Sequence, residues 1–247
     1  DDADIAKNDP ADIAIVGDLG SVMREIADSV AVSEARRRQR TQDLATRRSE
    51  AASFLGVETE TTSGGEISKE LLAETITEVA PDGFLVNESN TSKFALLSRF
   101  QPGPEQFLSN KNGGLGYSLP ATVGAAVAHR EGGDDRSVVG FVGDGSYLYY
   151  PQSLYSAARY DLDLTVVVPN NRNYRILKDG MLDIYGGADE DHEYVGMDFD
   201  PAVDLAANAE SHGAGGFRVD DAADLSQTLT AAVDDAGPAV VDVPVRD

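Results

Sequence analysis

Asp144, set between Gly143 and Gly145, and Asn171, second of the pair Asn170-Asn171, carry the most pointed chemistry in this chain. A carboxylate and a side-chain amide are hard oxygen donors of the kind that hold Mg²⁺ or Ca²⁺. Mg²⁺ rarely obtains a full protein cage, so a bound phosphate is expected to complete its shell. Glycine on each side of Asp144 lets backbone approach a bulky anion closely. Ser146 adds a hydroxyl beside backbone N–H groups suited to phosphate oxygens. Alone, a Gly-Asp-Gly or an Asn-Asn is equally a plain turn. Their pairing at the ends of two buried strands sets these two apart.

The strands are read from apolar runs. Val138-Val139-Gly140-Phe141-Val142 precedes the first motif and Leu164 to Val168 the second. Short continuous apolar runs mark strands buried on both faces. In an open parallel sheet the C-terminal strand edge is where ligands bind. The pattern predicts a helix with an apolar face of Ile67, Leu71, Leu72, Ile76 and Val79, preceded by Ser68. It then predicts strands at 84–86 and 106–108, and a small-residue helix over 121–129 opened by Pro120. Beyond lie strand 138–142, helix 151–161, strand 164–168 and a long loop containing Gly180, Gly186 and Gly187. Helix 201–210, a strand near 216–219, helix 222–235 and strand 239–244 follow. Such alternation predicts an α/β fold, three layers with helices on both faces of a mostly parallel central sheet.

At the level of motifs the chain resembles thiamine-diphosphate-dependent enzymes of the benzoylformate decarboxylase and acetolactate synthase family, in their C-terminal diphosphate-binding domain. The resemblance rests on Asp144 to Asn171, on Asn87-Glu88-Ser89, on Gly113 to Ala121 and on Pro238 to Val243. It implies that Asp144, the Asn171 side chain and the Asn173 carbonyl hold Mg²⁺, with Ca²⁺ or Mn²⁺ as substitutes. Gly143, Gly145 and Ser146 would hold the diphosphate, helped by Ser89, Asn90 and Thr91. Gly113 and Leu115 would flank the aminopyrimidine, Leu115 wedging the cofactor into its bent shape, and Tyr174 would border the diphosphate or substrate pocket. The family usually has glycine where Arg172 and Arg175 stand. Arg172 is therefore expected to strain its backbone, and either arginine would contact an anion or point to solvent. Glu88 is expected to be buried, near the cofactor or in a structural hydrogen bond.

The resemblance covers residues 66–247. It implies that 1–30 is the tail end of a central domain and 31–65 a linker helix and loop. Within the first part, residues 12–16 read as a strand and 21–28 as a helix. The chain opens without Met, so a fragment or a processed chain is expected. The resemblance further implies a homodimer or homotetramer with the active site between chains, a small 2-oxo acid substrate, and decarboxylation or carboligation as the reaction. The glutamate that activates the cofactor would come from a domain not found here, so no catalytic residue is assigned and the isolated chain is expected to be inactive. The alternatives are a non-catalytic cofactor-binding module or a separate decarboxylase subunit. A dinucleotide-binding domain is disfavoured, because Gly113-Gly114-Leu115-Gly116 lacks that fingerprint's spacing.

Composition narrows the classes. A formal charge of −23, from 43 acidic and 20 basic residues, repels nucleic-acid phosphate and anionic membranes. The acid is dispersed and lysine is scarce, five against fifteen arginines. That balance suits a high-salt cytoplasm, where screening relieves self-repulsion, and points to a haloarchaeal source. The six arginines between Arg36 and Arg48 read as a solvated linker helix. The three histidines read as surface residues. With no cysteine there are no disulfides or thiolate metal sites.

Overall fold

The computed structural model describes residues 11–54, 65–103, 105–109 and 114–246. The chain divides into two compact units, residues 1–54 and 55–247.

The first unit is helical. Helix α1 (Leu19–Ser29) starts where the Asp18 carboxylate accepts the Ser21 N–H, a side-chain cap that relieves one orphan donor of the first turn. Helix α2 (Glu34–Phe54) carries the arginine run. The strand expected at 12–16 is not formed. Ile13, Ile15 and Val16 are exposed, and the described residues of this unit contain no second strand with which a ladder could form.

The second unit alternates as its apolar runs require. Its elements are α3 (Lys69–Val79), β1 (Phe84–Glu88), α4 (Lys93–Arg99), β2 (Phe107–Ser109), α5 (Ser118–Gly132), β3 (Val138–Val142), α6 (Asp144–Tyr147) and α7 (Ser153–Arg159). They continue as β4 (Leu164–Asn170), α8 (Arg175–Tyr185), α9 (Leu205–Ser211), β5 (Gly215–Arg218), α10 (Ala222–Asp234) and β6 (Pro238–Pro244). The six strands form one sheet in the order β2-β1-β3-β4-β6-β5, every pairing parallel.

Alternation along each strand builds two cores. Val139, Phe141, Val167 and Val241 face Leu72, Ile76, Leu96, Leu225 and Leu229 of α3, α4 and α10. Val138, Val142, Val166, Val168 and Val240 face Leu119, Leu154 and Leu205 of α5, α7 and α9. Burial of both faces explains why β3 and β4 read as near-continuous apolar runs.

In the second unit one further expectation fails. Residues 175–185, expected as loop, form α8. Gly180 weakens a helix interior by about 1 kcal/mol relative to Ala, so the sequence argues against it. Contacts offset that loss. Arg175 bonds Asp179 one turn on at 2.7 Å and Asp189 at 2.8 Å, while Lys178 reaches Asp198 at 2.5 Å. Gly186, at φ +71°, then ends the helix as a residue free to adopt a positive φ.

Candidate functional site

Sheet order selects the edge. From β1 the chain goes out to β2, then returns across β1 to β3, so the order in which strands are added reverses between β1 and β3 while the strands stay parallel. Ligands of open parallel sheets sit at the C-terminal edge of such a switch point. Glu88 is in register with Val142, which brings Ser89 beside Gly143, and the Gly143 N–H donates to the Glu88 carbonyl at 3.3 Å. Phe141 is in register with Val167, which carries the end of β4 to the same level.

At the end of β3 the backbone turns at once into the single helical turn α6, with the Tyr147 N–H donating to the Gly143 carbonyl at 2.9 Å. Asp144 and Ser146 are 5 % and 4 % exposed, a depth at which a carboxylate needs strong partners. Asp144 Oδ1 accepts the Gly145 N–H at 2.8 Å. A Cβ added at Gly145 would overlap the Tyr174 ring, so only glycine leaves room for that ring. Tyr174 stacks edge-on against Phe199 with ring centroids 4.8 Å apart. Burial pushes its hydroxyl pKa up, with Tyr149 and Asp144 adding to the shift.

At the end of β1, Asn87 Oδ1 accepts from the Ser89 N–H at 3.3 Å and from its hydroxyl at 3.2 Å. Asn90, Thr91 and Ser92 then lead into α4. At the end of β4, Arg172 takes φ +58°, the left-handed conformation expected for a residue standing where glycine is usual. The chain after α8 zips onto this turn. Phe199 N–H donates to the Arg172 carbonyl and Tyr174 N–H to the Met197 carbonyl, each at 2.8 Å. Asn173 is 8 % exposed, and its amide donates to the Asn171 carbonyl at 2.8 Å.

These three strand ends enclose one cleft. It is lined by Ser89, Asn90, Thr91, Leu115, Gly143, Asp144, Gly145, Ser146, Asn171, Asn173 and Tyr174. The site residues named from the sequence thus lie together, except Gly113, which falls outside the described residues. Ser92, Pro169 and Ile176 also line the cleft without having been named. Ser92 continues the Asn-Glu-Ser run and was within reach of the motif argument. Ile176 was hidden because α8 reads as loop. The two arginines part company. Arg175 lines the cleft with its guanidinium held by Asp179 and Asp189, whereas the Arg172 side chain is exposed and does not line it.

Glu88 lies behind the cleft at 3 % exposure. Its two oxygens accept the Gly116 N–H at 2.9 Å and the Ser118 N–H at 2.7 Å. The carboxylate therefore clamps the turn that carries Leu115. Gly116, at φ +93°, cannot be replaced cheaply: a Cβ there would come within 2.6 Å of Tyr149 and Tyr150.

The donors in the cleft are oxygens from one carboxylate, amides and hydroxyls. Among the described residues no group of three His, Asp or Glu gathers to hold a soft or borderline metal. This set fits a hard cation that shares its shell with a phosphate.

Residues 89–243 match the family model described as "thiamine pyrophosphate enzyme, C-terminal TPP binding domain". The chain belongs to that family. This thiamine pyrophosphate domain is similar to the acetolactate synthase large subunit of Parasynechococcus marenigrum, 29% identical over 249 residues, which cover 100% of this chain and 38% of the relative. It is similar to the benzoylformate decarboxylase of Pseudomonas aeruginosa, 30% identical over 185 residues, covering 74% of this chain and 33% of the relative. Among solved structures it resembles the thiamine diphosphate-dependent 4-hydroxybenzoylformate decarboxylase of Rhodococcus jostii, with TM-score 0.68, 29% identity, and coverage of 76% and 34%. The chain spans only 33% and 38% of the length of the two curated relatives. Among the described residues no helix is long and apolar enough to cross a membrane.

Proposed function

We propose that this chain is the magnesium- and diphosphate-holding part of a longer thiamine-diphosphate-dependent enzyme that decarboxylates a small 2-oxo acid or ligates the resulting acyl unit. The observation that carries the reading is the meeting of Asp144 and Asn171 at adjacent parallel strand ends, in one cleft with Ser89, Gly145 and Ser146. In this reading Asp144, the Asn171 side chain and the Asn173 carbonyl hold Mg²⁺, for which Ca²⁺ or Mn²⁺ can substitute. The N–H groups and hydroxyls of Gly145, Ser146 and Ser89 to Thr91 hold the diphosphate. Leu115 supports the cofactor's bend, and Tyr174 closes the cleft over Gly145. Thiamine diphosphate, when bound, would supply a nucleophilic thiazolium carbon and, in its cationic ring, an electron sink for decarboxylation. The described residues anchor and orient it, and none is assigned an acid–base step.

Residues 1–30 then belong to a central domain and 31–65 to a linker. The match of the whole chain to an acetolactate synthase large subunit supports this continuity. The active site would be completed between the chains of a cytoplasmic homodimer or homotetramer, and the isolated chain would not turn over substrate. The charge of −23 with five lysines supports a halophilic protein.

Titration calorimetry with the 247-residue chain tests the anchor. Thiamine diphosphate should bind only with Mg²⁺ present, and Asp144→Ala should abolish that binding. Equal affinity in the presence of a chelator, or unchanged affinity in the variant, would remove the reading.

A further inference from the structure

Asp242 is fully buried on β6, with 0% exposure, yet it touches no residue proposed to hold the cofactor. A buried carboxylate costs several kcal/mol in desolvation, and an apolar residue of similar volume often does as well or better for stability. Its neighbours on the same face of β6 and β4, Val240, Val166 and Val168, are apolar. Stability alone therefore gives no reason for a carboxylate here.

Its hydrogen bonds give one. Oδ1 accepts from the Asn170 side-chain amide at 2.7 Å, and Oδ2 from Arg218 Nη1 at 2.9 Å. An ionised carboxylate only accepts, so Asn170 must turn its NH₂ toward Asp242 and its oxygen the other way. That oxygen accepts the Arg172 N–H at 3.1 Å. The Asn170 carbonyl meanwhile accepts the Val245 N–H at 3.0 Å, which ties the same residue back to the end of β6. Arg172 holds a left-handed conformation, φ +58°, that costs a non-glycine residue roughly 1–2 kcal/mol. The bond from Asn170 is placed to hold that turn, and the turn sets where Asn171 and Asn173 point.

We propose that Asp242 is a positioning residue of the cleft: acting through Asn170, it fixes the 170–173 turn in the conformation that presents the metal-holding groups. This rests on the reading of the cleft given above. Arg218 is a partner of a different kind. It is also held by Asp220 at 2.7 Å, and it balances the carboxylate's charge without touching the turn.

The logic is one of donors and acceptors. In Asp242→Asn the new amide oxygen can take the place of Oδ1 or of Oδ2, so it meets Asn170 or Arg218 but not both. Its NH₂ then faces a donor, and Asn170 is free to flip. In the exchanged pair Asn170→Asp with Asp242→Asn every bond can form again. Asp at 170 accepts from the new amide and from the Arg172 N–H, while the amide oxygen accepts from Arg218. Arg218→Gln removes the charge partner of the buried carboxylate and leaves the Asn170 bond.

Two readouts test this on the 247-residue chain. The first is NMR hydrogen exchange of the Arg172 amide without cofactor; the second is Mg²⁺-dependent thiamine diphosphate affinity by calorimetry. Asp242→Asn should speed exchange at Arg172 at least tenfold and weaken affinity at least tenfold while circular dichroism stays native. The exchanged pair should recover both to within about threefold, and Arg218→Gln should keep both while lowering the melting temperature. Native-like exchange and affinity in Asp242→Asn would overturn the proposal. So would an exchanged pair as impaired as the single variant, which would mark Asp242 as merely structural. Should the unaltered chain fail to bind Mg²⁺ and thiamine diphosphate, the reading of the cleft falls, and exchange at Arg172 still decides whether Asp242 sets the turn.

Discussion

Replacing Glu88 by Gln changes one oxygen for an NH₂ in a buried clamp. Both carboxylate oxygens are used, on the N–H groups of Gly116 and Ser118 at 2.9 and 2.7 Å, and the residue is 3 % exposed. Gln keeps one acceptor and turns a donor toward the other N–H. One charge-assisted bond is lost and one buried N–H is left without an acceptor, which together cost about 2–4 kcal/mol. For a protein of this size each 1 kcal/mol moves the melting temperature by about 2–4 °C, so thermal unfolding should shift down by roughly 5–15 °C. The clamp also holds the turn that bears Leu115. Each 1.4 kcal/mol spent on reordering that turn weakens cofactor binding about tenfold, so a loss of at least fivefold in Mg²⁺-dependent affinity is expected. Differential scanning calorimetry and titration calorimetry on the same preparation read both effects. A variant that melts within 1 °C of the parent, with unchanged affinity, would refute the clamp.

Other outcomes follow from single residues. Arg172→Gly relieves a positive φ and should stabilise by about 0.5–1 kcal/mol in denaturant unfolding; a fall in cofactor affinity in the same variant would instead show that the guanidinium contacts an anion. Gly145→Ala should displace the Tyr174 ring and weaken diphosphate binding, read by calorimetry, while Gly124→Ala, where an added Cβ meets nothing within 4 Å, serves as the control that leaves binding unchanged. Raising KCl from about 0.1 to 1 M shortens the Debye length from about 10 to 3 Å, so a chain of net charge −23 should melt at a progressively higher temperature. A melting temperature that stays flat across that range would count against the halophilic reading.

Apolar runs and the oxygen-bearing side chains at their ends were legible in the sequence because their causes are local. A strand buried on both faces is apolar along nearly its whole length, and β3 and β4 show this, with Asp144 and Asn171 following their ends. Thr165 is the one polar residue inside β4's buried run before its end, and it is satisfied by the Ala232 carbonyl at 2.9 Å. Such a partner lies far along the chain and leaves no local trace. The same is true of α8. Gly180 argues against a helix there, and the ion pairs to Asp189 and Asp198 that favour it come from the segment folded back on it.

The sequence by itself determined the parallel α/β class, the family and the chemistry of the strand-end donors, because period, burial and motif are properties of short stretches. It misjudged 12–16, where the described residues of the first unit offer no second strand to pair with. Only the tertiary structure decided which groups hold those donors in place. Asp242 on β6 reaches the Asn171 turn through Asn170 of the neighbouring β4, and Glu88 reaches from the end of β1 to the turn that opens α5, contacts that only the folded chain brings about. A buried carboxylate looks like any other acid in a chain with 43 of them, and its role becomes visible only when its acceptors are matched to donors.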